Sequence, residues 1–131
     1  MLLNRLGFTL SSKQQTHLGR FIPAIKHSIL GLKAAYKHEI AFRQEVFLLL
    51  ILLPIAFYLA NDFVEFCLLI SGIFGILIAE LLNSGIEAAI DRISLEHHEL
   101  SGRAKDLGSA AVFVAILYFL LVWGYKLYTL I

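Results

Sequence analysis

Charge is scarce in this sequence. Only 16% of its 131 residues are Asp, Glu, Lys or Arg, where an ordinary soluble domain carries about a quarter. From Gln44 to Asp91 there is no lysine or arginine at all. Hydrophobic residues make up 59%, which excludes an ordinary soluble core under a polar surface. Cys67 is the single cysteine. No disulfide can form within the chain, and the redox compartment cannot be read from it. There is no GxxxxGKS/T loop and no protein-kinase signature set, so the familiar phosphate-cradling loops are excluded. No internal repeat or low-complexity tract occurs. Met1 to Phe8 lacks a long apolar core and no small-residue cleavage site follows, so a secretory signal is not expected. The net charge of +1 says little, and no element here suggests nucleic-acid binding.

What remains is grease in long runs. Val46 to Ala60 is uncharged. Extended back to Ala41 and forward to Asn61 it is long enough to cross a bilayer, which takes about 20 apolar residues. Pro54 can bend it, as neighbouring helices tolerate. Asn61-Asp62 is a tight turn. The expected spans are 42–61, 63–82 and 107–127, in one membrane domain of 1–131. Phe21 to Glu45 repeats apolar groups at steps of three and four, at Ile22, Ile25, Ile29, Leu32, Ala35 and Tyr36. An amphipathic surface helix is expected over 21–45, with Pro23 in its first turn, behind a tail at 1–20. The fold class is therefore all-α integral membrane, three transmembrane helices plus an N-terminal surface helix. Seven of the eleven Lys and Arg residues precede Val46, and three more lie at Arg92, Arg103 and Lys105. Both clusters mark cytoplasmic segments. That places the N-terminus in the cytoplasm, with the Asn61-Asp62 turn and the C-terminus outward.

The segment 83–106 carries the chemistry, together with Glu80. Ser71, Gly75, Ala79, Asn83, Glu87 and Asp91 fall at steps of four. On a helix they form a slowly drifting row, small at its start and polar at its end. Such a row predicts a close helix approach and a polar site. Glu80 stands at the end of the second span. A carboxylate there costs about 2–3 kcal/mol or more unless paired or near water. It is either a general base or a marker of the water interface. Glu87 and Asp91 suit a hard cation or a solvated acidic face, with Glu39 a further candidate. His97-His98 with Glu96 and Glu99 has the wrong spacing for an HExxH zinc site, and surface histidines are the plainer reading. Lys105 can neutralise phosphate or anchor the span. An ion pathway along the Glu80–Asp91 seam is disfavoured by the expected lack of buried charge in the first and third spans.

The stretches ELLNSGIEAAIDR (80–92), HELSGRAKD (98–106), GSAA (108–111) and EIAFRQE (39–45) resemble the prokaryotic diacylglycerol kinase family. The resemblance covers roughly residues 20 to 125 and is poor before Arg20. It implies a homotrimer with sites shared between subunits, in the cell inner membrane, using ATP and Mg²⁺ to phosphorylate diacylglycerol. Glu80 then matches the proton acceptor, and Glu39 and Glu87 the metal-associated carboxylates that meet ATP. Arg20, His27, Asn83, Glu96, His97, His98, Lys105 and Asp106 fall at nucleotide-side positions. Arg20, Ala41, Phe42, Arg43, Gln44, Glu45, Glu80, Ser109 and Trp123 fall at lipid-substrate positions. His27, Ile29 and Lys33 depart from the family's tyrosine, tryptophan and arginine. The undecaprenol kinase branch is the close alternative, and a non-enzymatic membrane adaptor the distant one.

Overall fold

The computed structural model describes residues 17–131, with side chains from Phe21 onward. The expected tail lies outside the described residues as far as position 16, as does the Arg20 side chain. Four helices follow one another: α1 (His17–His38), α2 (Ile40–Leu59), α3 (Phe63–Ile93) and α4 (Glu99–Tyr128). The last three are each long and apolar enough to cross a membrane. The fold is all-α with three spans after an N-terminal helix, as the hydropathy pattern requires.

The chain divides into two compact units, 1–32 and 33–131. In the first, α1 starts at His17, ahead of the expected Phe21. Pro23 therefore lies inside the helix instead of its first turn, where its ring removes one backbone bond.

In the second unit, the last turn of α1 ends at Glu39, which is extended at φ −103° and ψ 117°. The expected helix through Glu45 is thus cut short. The cause lies in α2. Arg43 donates from Nη1 to the carbonyls of Tyr36 (2.9 Å) and Lys37 (3.1 Å). Those are two of the carbonyls that a helix end leaves without partners. Phe42 turns inward and packs with Ala35 and Leu77.

α3 is the middle helix, with α2 and α4 packed on it. Its buried residues are Leu69, Gly72, Ile73, Ile76, Leu77, Glu80 and Asn83, one stripe at steps of three and four. Between lipid-embedded helices, close packing and hydrogen bonds replace the hydrophobic drive. The tightest approaches are at two glycines. A Cβ on Gly72 would stand 3.0 Å from the Phe119 Cα, and one on Gly108 would strike the Asn83 amide oxygen. Gly75, expected in the seam, has nothing near it. The row still meets α4 at intervals: Ser71 Oγ lies 3.0 Å from the Tyr118 hydroxyl, Asn83 lies against Gly108, and Asp91 accepts the Lys105 ammonium.

The end of the bundle at the Asn61-Asp62 turn is held by polar contacts. Asp62 caps α3 by accepting the Glu65 amide at 2.8 Å. The Glu65 carboxylate accepts the Asn61 amide (2.6 Å) and side chain (2.9 Å), and its other oxygen takes the Lys126 ammonium at 2.8 Å. Lys126 is only 4% exposed. The expectation that the third span lacks buried charge is therefore overturned. Sixty-one positions separate the partners, and no local pattern announces the pair. Trp123 is buried with Ala56 and Leu69, and its indole donates to the Leu69 carbonyl at 3.0 Å.

Removing one partner of a buried pair strands the other charge, whereas removing both does not. Glu65→Leu alone is therefore expected to lower the thermal midpoint in detergent by more than Glu65→Leu/Lys126→Leu does. A double variant less stable than the single one would show that the pair itself stabilises the bundle.

Candidate active site

Near the other end of the bundle lie four carboxylates, two on α3, one on α2 and one in the break before it. Glu80 is 8% exposed, at the point where the buried stripe of α3 turns from apolar to polar. The charges of Glu39 and then of Glu87 act on it. Its own charge acts on Glu45, which is half-buried on α2. Helical spacing brings Glu80, Asn83 and Glu87 together on α3. The break between α1 and α2 delivers Glu39, and the first turns of α2 deliver Glu45. The resemblance put Glu45 at a lipid-substrate position; its approach to Glu80 depends on how α2 packs, which spacing does not show.

Asn83 links this group to α4. Its Nδ2 donates to Glu87 Oε1 at 3.3 Å. Its Oδ1 is buried without a donor, as is Glu45 Oε2. Such atoms are expensive to leave unmatched, and two of them in one neighbourhood mark a place where a donor or a cation fits. The missing Cβ at Gly108 is what lets α4 close over Asn83.

Farther along α3 from Glu87 lies a cavity of about 430 Å³, lined by the end of α3, the 94–98 turn and the start of α4. The turn is ordered by its own side chains. Ser94 Oγ accepts the Glu96 amide at 3.0 Å. His98 Nδ1 accepts the Leu100 amide at 3.2 Å and caps α4. His98 thus has a structural task that the sequence reading did not assign. His97, His98 and Glu96 all line the cavity, and Asp106 stands exposed beside it in sequence. Lys105 lines it too, its ammonium 2.6 Å from Asp91 Oδ1. Lys105 sits on the charged opening turns of α4, before the apolar stretch. The Asp91 hydrogen bond, and less strongly the charges of Asp91 and Glu87, hold its pKa above the ordinary lysine value.

The other expected residues are spread more widely. Phe42 is 5% exposed and part of the core, and the half-buried Arg43 secures the end of α1. Ala41, Gln44 and Ser109 are exposed. Trp123 contacts Leu69, roughly 16 Å along α3 from Glu80 at 1.5 Å per residue, so the chain does not bring it to the carboxylates. His27 lies in the unit of residues 1–32.

A divalent ion is implied by the resemblance, and the residues fit one of a particular kind. Among the described residues, no three of His, Cys, Asp or Glu converge into a ready cage. Glu39, Glu87 and the unmatched Asn83 oxygen offer oxygen donors only. That suits Mg²⁺, which takes one or two carboxylates plus water and phosphate oxygens, and does not suit a soft-ligand metal.

Comparison with known proteins identifies the family. The sequence profile described as prokaryotic diacylglycerol kinase matches residues 26–127. A diacylglycerol kinase of Haemophilus influenzae is 50% identical over 109 residues, 83% of this chain and 92% of the relative. One from Escherichia coli is 46% identical over 123 residues, 94% of this chain and 93% of the relative. One from Pseudomonas aeruginosa is 49% identical over 112 residues, 86% and 91% of the two chains. With three spans and a match across most of its length, this chain belongs to the prokaryotic diacylglycerol kinase family, whose members are multi-pass membrane enzymes.

Proposed function

We propose that the chain transfers the terminal phosphoryl group of ATP to the free hydroxyl of diacylglycerol, giving phosphatidate and ADP. The observation that carries this reading is the buried Glu80 carboxylate on the same helix face as Asn83, whose amide donates to Glu87. Phosphoryl transfer needs positioning and charge neutralisation more than covalent help. The lipid keeps its acyl chains in the bilayer and presents its hydroxyl to Glu80. Glu80 takes the hydroxyl proton, the lipid oxygen bonds to the terminal phosphorus, and the bond to the ADP oxygen breaks. Glu39 and Glu87 are the residues to hold Mg²⁺, which supplies neutralisation of phosphate charge when bound. Lys105 offsets further negative charge from the cavity side.

The reading places this reaction at the cytoplasmic face of the inner membrane, as the basic clusters before Val46 and around 92–105 favour. A homotrimer in which neighbouring subunits share each site is carried over from the family resemblance alone. Diacylglycerol is preferred to undecaprenol because the relatives above are named for it.

Glu80→Gln is expected to fold normally and to keep its KM for ATP, while kcat with dioleoylglycerol falls about 100-fold or more, the usual share of a general base. Undiminished turnover would refute the assigned role, and phosphorylation of undecaprenol in place of dioleoylglycerol would move the substrate. Glu87→Gln should raise the Mg²⁺ concentration for half-maximal rate by roughly tenfold or more, since even outer-shell losses reach that size. A Mg²⁺ titration of the initial rate measures it, and an unchanged midpoint would remove Glu87 from the metal site.

A further inference from the structure

The nucleotide-side cavity contains one fixed ammonium, and that ammonium already has a partner. Lys105 reaches across from α4 to Asp91 on the last turns of α3, at 2.6 Å. The two side chains remain 39% and 50% exposed, so both are accessible from the cavity that they line. Among the described residues, the cavity wall offers no other cationic side chain apart from the two histidines. Lys105 also feels the charge of Glu87, one helical turn before Asp91. Its bond to Asp91 ties it to the end of α3 that carries Glu87 one turn earlier.

We propose that Asp91 is a positioning residue for the nucleotide, acting through Lys105. A lysine side chain has four rotatable carbons and disperses its charge over many rotamers. Bonded to Asp91, the ammonium is fixed at the cavity wall, on the side facing Glu87. A triphosphate arriving there meets a cation already in place, and less rotamer freedom is lost on binding. The plainer alternative is a surface salt bridge that merely ties two helix ends together, and exposed pairs of that kind stabilise little. The two readings differ in what they move. A tie between helix ends affects stability. A positioning residue affects nucleotide affinity, and only while Lys105 is present.

The inference rests on the nucleotide site proposed above, and the experiment separates the two. KM for ATP, KM for dioleoylglycerol, kcat and the thermal midpoint are measured on the full chain in mixed micelles. The variants are Asp91→Asn, Asp91→Glu, Lys105→Met and Asp91→Asn/Lys105→Met. Lys105→Met is expected to raise KM for ATP about tenfold, as loss of a charge-assisted contact does. Asp91→Asn should raise it roughly threefold, the scale of an exposed pair, with kcat and KM for dioleoylglycerol within about twofold. Asp91→Glu, which keeps the charge, should recover most of the affinity. The double variant should be no worse than Lys105→Met alone, because Asp91 has nothing left to position. Independent, multiplying effects, or an Asp91→Asn variant altered only in thermal midpoint, would overturn the inference. If Lys105→Met itself leaves KM for ATP unchanged, the nucleotide does not use this cavity wall and the site assignment above fails first.

Discussion

A charge inside an apolar bundle has to be answered by another group or by water, and the two ends of this molecule answer it differently. At the Asn61-Asp62 turn the answer is complete. Glu65 receives two groups from Asn61 and one from Lys126, and the buried lysine has its carboxylate. At the opposite end the answer is deficient. Glu80, Glu45, Glu39 and Glu87 share one neighbourhood, and two buried oxygens have no donor. A bundle that tolerates such a deficit only at one end has its stability at the other. Unmatched acceptors are costly, so their clustering calls for incoming donors and positive charge.

The α3–α4 contact joins packing to chemistry. Gly72 and Gly108 admit the close approach, but they do different things. At Gly72 the neighbour is the Phe119 backbone, and the contact sets the distance between the helices. At Gly108 the neighbour is the Asn83 amide, so the same closeness presses on a side chain that donates to Glu87. A residue that reads as a packing glycine thus constrains the carboxylate two turns beyond Glu80. Trp123 and Lys126 fasten α4 farther along, leaving its charged opening turns to frame the cavity.

Much of this was legible in the sequence, and the failures share one cause. Hydropathy is a property of continuous segments, so the three spans could be read directly. Glu80, Glu87 and Asn83 lie within a few residues of one another on one helix, so their grouping follows from helical geometry. What could not be read depends on contacts between helices. The Glu65–Lys126 pair joins the beginning of one span to the end of another. Phe42 looks like any aromatic at a membrane edge until α2 packs against α3. Gly75 sat in the expected row, yet the close backbone approach falls at Gly72 instead. The His98 cap was hidden for a local reason: a histidine beside other polar residues suggests a ligand before it suggests a helix start.

The shape of the site also explains how a kinase family can dispense with a glycine-rich phosphate loop. In soluble enzymes such a loop wraps the phosphates with backbone amides because the substrates arrive from water on all sides. Here, on the proposed reading, one substrate is confined to the bilayer and approaches from a single direction, so the membrane itself does part of the orienting. The chain then has to supply only three things at one height: an acceptor for the lipid proton, oxygen donors for a cation, and an ammonium facing them. Glu80 is buried at the end of the apolar stripe, Glu39 and Glu87 act on it, and Lys105 stands across the gap within reach of Glu87's charge. Their common height comes from long helices carried beyond the apolar stretch, which is why α3 runs on to Ile93 and α4 begins as early as Glu99.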